Sequence, residues 1–182
     1  EIIAGDWSSD VCSSDLAMDC QFCYTGKLGL SRHLTAGEIV DQVVTARAAV
    51  PPEGRIDHVV YMGMGEPLHN FDAVAESIGS LCDKDGVALS HKRITVSTSG
   101  LVPQIDKLGQ TAPVNLAISL NATTNEVRDR VMPVNKRWPI EALLESVRKY
   151  PLPPRRKLTF EYVLLGGVND SDEDARRREA EG

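Results

Sequence analysis

The sequence alternates short strand-like runs with helix-like runs, and this alternation limits the fold more than any other feature. Four runs have the pattern of strands, at 56–62, 93–98, 114–120 and 157–165. Helix-like segments lie between them, so each strand-to-strand connection is a crossover and the sheet is predicted to be parallel. The chain is therefore predicted to be an α/β protein.

The strands carry a second signal, because each has one apolar face and one face of small or polar side chains. In the run 114–120, Leu116 and Ile118 alternate with Ala117 and Ser119. An open sheet covered by helices on both faces usually has strands that are apolar throughout. A half-polar parallel sheet instead favours a barrel whose interior holds a polar ligand. Four strands are too few to close a barrel, so an incomplete barrel is predicted.

Local signals mark where several helices begin and end. Thr35 with Glu38, and Thr123 with Glu126, have the spacing of a capping box, which predicts a helix start at each place. Apolar periodicity and proline positions predict further helices at 71–82, 103–108 and 139–150.

Composition narrows the class of protein. The 182 residues carry a net charge of −6, which argues weakly against a free-standing nucleic-acid-binding protein. Basic pairs such as Arg128 with Arg130 are expected to be solvated surface. No apolar run approaches the roughly 18 residues that span a bilayer, and nothing resembles a signal peptide. We therefore expect a cytoplasmic protein with no membrane partner.

Cys20 and Cys23 form a Cys-x-x-Cys pair. The four cysteines of the chain are too few and too unevenly spaced for a disulfide framework. Taken alone, the pair could be half of a zinc site or a redox pair. Leu16 stands four residues before Cys20, where a cysteine would complete Cys-x-x-x-Cys-x-x-Cys. Three thiolates on a cubane iron–sulfur cluster would leave its fourth iron open to a ligand.

A glycine-rich loop and two serines make a second candidate site. The loop, residues 63–67, follows a strand and contains Gly65 and Glu66. Glycine there allows a ligand to approach the backbone, and the carboxylate could accept from an ammonium group. Ser97 and Ser119 lie on the polar faces near the ends of two later strands. Because parallel strands end at the same edge, these side chains are predicted to converge on one mouth.

The chain resembles a known family from residue 17 to about residue 174. Five stretches carry the resemblance: AMDCQFCYTGKLGLSRHLTAGEIVDQV, YMGMGEPLHN, ITVSTSGLVPQIDKLG, LAISLNATTNEVRDRVMPVNK and TFEYVLLGGVND. They are similar to the radical S-adenosylmethionine (SAM) enzymes that methylate adenine C2 in 23S ribosomal RNA, and often in transfer RNA. The resemblance implies a partial (β/α)6 radical-SAM-type barrel over residues 17–182, with the first and last strands missing.

The resemblance also implies cofactors, partners and site residues. The cofactors are a 4Fe–4S cluster and SAM. The partners are 23S rRNA, with transfer RNA as a second substrate, and a reducing electron-donor protein. The implied metal ligands are Cys20 and Cys23. The implied cofactor-binding residues are Phe22, Gly65, Glu66, Ser97, Ser119, Leu120 and Asn121, with Asn121 standing where histidine is common.

Three parts of the family pattern are absent from the sequence. Leu16 replaces the first cluster ligand, and the resolving cysteine is expected near Ser9, in a stretch that does not match the family. The family's methyl-carrying cysteine lies beyond the part that the chain matches. Neither catalytic cysteine is therefore present, and we expect the polypeptide as written to be an inactive, incomplete fragment.

The segment DWSSDVCSSDL resembles the translation of a sequencing adapter, and it ends at Leu16. This similarity leads to the hypothesis that residues 1–16 are non-native, that Leu16 replaces a genuine cysteine and that Cys12 has no function. The rival is a natural, degenerate paralogue. Two other functions remain open at this point: methylation of adenine C8 by the sister family, and a non-catalytic fragment that binds metal or RNA.

Overall fold

Five parallel strands in chain order form the sheet of the computed structural model, which describes residues 2–3, 18, 20–24, 32–51, 53–152 and 158–181. The strands are β1 (Ile2–Ile3), β2 (Val59–Tyr61), β3 (Ile94–Thr98), β4 (Asn115–Ser119) and β5 (Leu158–Glu161). Each strand pairs in parallel with the next. The prediction of an α/β protein with a parallel sheet is confirmed.

Helices lie between and after the strands. They are α1 (Ala36–Ala49), α2 (Phe71–Cys82), α3 (Val102–Thr111), α4 (Asn125–Val131), α5 (Ile140–Lys149) and α6 (Asp172–Glu181). The described residues also form short 3-10 turns: Pro67–Asn70 and His91–Arg93 lie between a helix and a strand, and Pro133–Lys136 lies between α4 and α5. In the part of the chain that the structure covers, no helix is long and apolar enough to cross a membrane.

One of the two predicted capping boxes is confirmed and the other is wrong. Thr35 caps α1 as predicted, since its side chain accepts from the Glu38 N–H while the Glu38 side chain accepts from the Thr35 N–H. The cap of α4 is Thr124 and not Thr123. The hydroxyl of Thr123 donates instead to Asp174, at the start of α6. The helix consequently begins one residue later than the spacing indicated.

The two ends of the sheet differ from the sequence prediction. The expected absence of a first strand is corrected in part, because Ile2 and Ile3 pair with Val59 and Val60 at the sheet edge. The run 157–165 was predicted to be extended throughout, but β5 ends at Glu161. Beyond it, the Val163 N–H donates to a side chain rather than to a neighbouring strand. Among the described residues, no strand follows β5.

The central strands separate an apolar core from a second, more polar face. Ile94 and Val96 of β3, and Leu116 and Ile118 of β4, are completely buried against the helices. The opposite face of the same strands carries Ser97, Ala117, Ser119 and Asn115. The alternation read from the sequence is therefore present in the sheet. The polar face is the one that needs hydrogen-bonding partners.

Candidate functional site

The carboxyl ends of β2 to β5 meet at one edge of the sheet, because the four strands are parallel. Ser97 near the end of β3 and Ser119 at the end of β4 both donate to one carboxylate oxygen, Oε2 of Glu161, at 2.8 and 3.1 Å. Ser97 is buried, whereas Ser119 and Glu161 are partly exposed. The structure thus brings the two predicted serines together through a third residue that the sequence motifs did not assign to the site.

The loop after β2 places Glu66 at the same edge, in a buried position. Its Oε1 accepts from the Leu68 N–H at 3.1 Å, and its Oε2 accepts from the N–H and hydroxyl of Ser99 at 2.8 and 2.6 Å. Burial raises the pKa of the Glu66 carboxyl, and the hydrogen bonds from Ser99 oppose that shift. Gly65 has a φ of +102°, so the turn that presents Glu66 favours glycine.

Ser99 connects this loop to the rest of the site, although no sequence motif assigned it a role. Its N–H and hydroxyl donate to the Glu66 carboxylate, while its carbonyl accepts from the Arg128 guanidinium at 2.6 Å. Its hydroxyl also lies 3.8 Å from the sulfur of Met18, which precedes the cysteine pair. One residue therefore contacts the glutamate loop, the segment before the cysteines and helix α4.

The expectation that Arg128 belongs to the solvated surface is wrong, because its side chain is completely buried. The guanidinium donates to four neutral oxygens: the carbonyls of Ser99, Ser119 and Leu120, and the side-chain Oδ1 of Asn135. Burial lowers the pKa of Arg128 to about 10, and the nearby Cys20 and Asp129 side chains oppose that shift. Arg128 thus holds the ends of β3 and β4 in place.

Leu120 and Asn121 follow β4 but do not join the open polar cluster. Leu120 is buried beside Ile140 and Leu144. Asn121 has a φ of +56°, and its side-chain Oδ1 accepts from the Val163 N–H at 2.8 Å. Its Nδ2 lies 3.3 Å from the sulfur of Met132. Both ends of the amide are therefore engaged within the protein. A cofactor role for Leu120 and Asn121 stays a prediction.

The cysteine pair lies in a turn that rests on the end of α4. The Cys23 N–H donates to the Cys20 carbonyl at 2.9 Å, and the Gln21 N–H donates to the Val131 carbonyl at 3.1 Å. Phe22 is partly buried against the core, as Cys20 is. The turn therefore rests against α4, and the Cys20 side chain lies near Arg128.

Comparison with known proteins decides the family. The model of the radical SAM superfamily matches residues 10–178 of the chain. The chain belongs to the radical SAM superfamily.

Several relatives and one solved structure show how far this similarity extends. The dual-specificity RNA methyltransferase RlmN of Syntrophobacter fumaroxidans is 51% identical over 161 residues, which cover 88% of this chain and 47% of that protein. The enzyme of the same name from Pelobacter propionicus is 54% identical over 162 residues, covering 88% of this chain and 46% of that protein. The chain spans about half the length of the curated relatives it matches.

The fold agrees with a crystal structure described as a radical SAM methyltransferase from Sphaerobacter thermophilus. The two chains superimpose with a TM-score of 0.85 at 45% sequence identity, over 91% of this chain and 49% of that one. The partial radical-SAM-type barrel expected from the sequence is thereby confirmed.

Membership of the radical SAM superfamily implies SAM and a 4Fe–4S cluster. The described residues fit SAM better than they fit the cluster. Among the residues that the structure describes, no group of three or more histidine, cysteine or acidic side chains could hold a metal. Cys20 and Cys23 supply two thiolates, and Leu16 lies outside the described residues. The polar cluster of Ser97, Ser119 and Glu161 fits a polar organic molecule better, since Glu161 still has acceptor capacity facing the strand ends.

Proposed function

We propose that this chain forms the SAM-binding core of an RNA methyltransferase that modifies adenine C2 of 23S ribosomal RNA, with transfer RNA as a second substrate. The observation that carries the proposal is the convergence of Glu66, Ser97 and Ser119 on one edge of a radical SAM sheet. Sequence identity of 51–54% to enzymes named dual-specificity RNA methyltransferases supports the proposed reaction and substrate. The proposal also includes a cytoplasmic location and a reducing protein as the electron donor, as the resemblance to the family implies.

Within this proposal, each part of the strand-end site has its own task. A bound cluster and SAM would supply the radical chemistry that is typical of the superfamily. Gly65 and Glu66 shape the loop that would receive the methionine end of SAM, and Phe22 lies beside the thiols that would hold the cluster. Ser97 and Ser119 offer hydroxyls one and two strands further along the sheet. Arg128 fixes the strand ends on which these groups are mounted.

A chimera tests the proposed reaction directly. Residues 32–152 of this chain would replace the matching segment of the Pelobacter propionicus relative, which keeps its own cysteines. Methylated adenosines in 23S rRNA would then be identified by mass spectrometry in cells that carry the chimera as their sole copy of the enzyme. We expect 2-methyladenosine. A chimera that folds and binds SAM but yields 8-methyladenosine, or no methylated adenosine, would contradict the proposal.

The two alternative functions are not favoured. The relatives described above are named as dual-specificity RNA methyltransferases, which does not support a C8 enzyme. A zinc-binding fragment needs more ligands than Cys20 and Cys23, and the described ranges hold no group of three.

The unmodified polypeptide is expected to bind little iron, because Leu16 leaves two thiolates where a site-open cubane needs three. Anaerobic reconstitution with iron and sulfide, followed by iron analysis and electron paramagnetic resonance, measures this. The matched variant is Leu16→Cys, which we expect to take up several times more iron per chain. A near-stoichiometric 4Fe–4S cluster in the unmodified chain would contradict the prediction and the hypothesis that Leu16 replaces a cysteine.

A further inference from the structure

We propose that Glu161 is a binding residue for the ribose hydroxyls of SAM, a role that the sequence motifs did not indicate. The inference rests on the proposed function, because it assigns part of the same cofactor to a residue that the resemblance did not name among the cofactor-binding residues. Its basis is the position of the Glu161 carboxylate and the acceptor capacity that the protein leaves unused.

The register of the sheet explains how Glu161 reaches the centre of the site. Glu161 pairs with Ser119 across β4 and β5, whereas Ser97 pairs with Ala117 across β3 and β4. Adjacent strands are about 4.8 Å apart, so β3 lies roughly 10 Å from β5. The Glu161 carboxylate nevertheless lies 2.8 Å from the Ser97 hydroxyl. Its side chain therefore extends over β4, where Ala117 presents only a methyl group.

The hydrogen bonding of this carboxylate is one-sided. Both serine hydroxyls donate to Oε2, and no described residue donates to Oε1. No lysine, arginine or histidine in the described ranges forms an ion pair with Glu161. A carboxylate offers about four acceptor positions, and a partly buried one is stabilised by further donors. The unused oxygen thus marks a place for a ligand that donates hydrogen bonds.

Among the donors of SAM, the ribose diol fits this place best. Carboxylates at the ends of parallel strands commonly accept from ribose hydroxyls in nucleotide-binding folds. The ammonium group is already assigned to the loop of Gly65 and Glu66, which follows β2. Glu161 places its carboxylate over β3 and β4, which is one to two strand spacings, or about 5–10 Å, from β2. That separation suits the ribose of a molecule whose methionine end lies at β2.

Binding measurements on the chain itself test the assignment. The probes are SAM, S-adenosylhomocysteine, which lacks the sulfonium charge, and the 2′,3′-dideoxy analogue of S-adenosylhomocysteine. Isothermal titration gives the dissociation constant of each for the wild type and for Glu161→Gln. The matched control is Glu145→Gln, which removes an exposed carboxylate from α5 that pairs with Lys149. Circular dichroism verifies that each variant is folded.

We expect the wild type to prefer S-adenosylhomocysteine over its dideoxy analogue by about tenfold or more, as for loss of hydrogen bonds to a charged group. Glu161→Gln should lose most of that preference, while Glu145→Gln should keep it. Equal preference in Glu161→Gln and the wild type would overturn the inference alone. A Glu161→Gln variant that weakens SAM much more than S-adenosylhomocysteine would overturn it in favour of a contact with the sulfonium. Failure of the wild type to bind either molecule would overturn the proposed function and this inference together.

Discussion

Two glutamates at the same edge of the sheet, Glu66 after β2 and Glu161 at the end of β5, have opposite surroundings. Glu66 is buried, and both of its carboxylate oxygens accept hydrogen bonds from the protein. Glu161 is partly exposed, and one of its oxygens has no donor among the described residues. The comparison shows that two carboxylates at one edge of a sheet can differ in how far the protein itself satisfies them. The hydrogen bonds to Glu66 hold its loop in shape, whereas Glu161 keeps acceptor capacity among the described residues, and a cofactor contact for either one stays a prediction.

The largest loss of stability should come from replacing Arg128, because it holds the Ser99 backbone that in turn supports Glu66. Arg128→Met leaves the carbonyls of Ser99, Ser119 and Leu120, and the Asn135 amide oxygen, without their donor. Loss of these buried hydrogen bonds should lower the free energy of unfolding by about 3–5 kcal/mol. Urea denaturation measures it. Arg130→Met is the control, because Arg130 is exposed on the same helix and its replacement should change stability by less than about 0.5 kcal/mol. Equal losses in the two variants would contradict the role given to Arg128.

Substitution of each of the two glutamates should lower the free energy of unfolding by a different amount in the same urea assay. In Glu66→Gln an amide NH2 faces the N–H groups of Leu68 or Ser99, so one buried donor loses its acceptor. We expect a loss of about 1–3 kcal/mol in the free energy of unfolding. Glu161→Gln should cost less than about 1 kcal/mol, since Ser97 and Ser119 can turn their hydroxyls to a new partner. If Glu161→Gln were the more destabilising change, the contrast between a structural and a binding carboxylate would be wrong.

A smaller effect concerns pH. Burial raises the pKa of Glu66 in the folded protein above its ordinary value of 4.5, so the folded state holds this proton more tightly than the unfolded state. The free energy of unfolding of the wild type should therefore fall as pH rises through and above 4.5, relative to Glu66→Gln, which has no such proton. The stability difference between the two proteins should be largest in acid and shrink toward neutral pH. Urea denaturation at a series of pH values measures it, and a difference that grows with pH would show that the hydrogen bonds outweigh burial.

Much of the fold could be read from the sequence because the signals are local. The alternation in β3 and β4 predicted their bounds to within one or two residues, since one face of each strand must pack on helices. The charged run of α6 offered no apolar periodicity, and its start is instead fixed by Ser171 and Asp174. Ser171 and Asp174 are three residues apart, which is the spacing of a helix cap, so this start was a local signal that the sequence prediction did not use.

The site was only partly predictable, for a different reason. Ser97 and Ser119 could be placed because strand ends are visible in the sequence. Arg128 could not, because its burial depends on carbonyls at the ends of two different strands, and the Ser99 carbonyl is 29 residues away along the chain. Glu161 could not be placed either, because its reach to Ser97 depends on register across three strands. Long-range pairing, rather than local pattern, decides which of these polar groups meet.

Two asparagines, Asn121 after β4 and Asn169 beyond β5, give the segment after β5 an unusual kinetic property. The Val163 N–H donates to Asn121, and the Leu165 N–H donates to Asn169, whose own side chain donates back to the carbonyls of Asn121 and Val163. Exposed side chains such as Val163 and Leu164 would ordinarily mark a segment whose amides exchange with solvent at once. Here the amides of Val163 and Leu165 should exchange with deuterium far more slowly than their surface position suggests, and at one common rate, because a single opening of the asparagine clasp releases both.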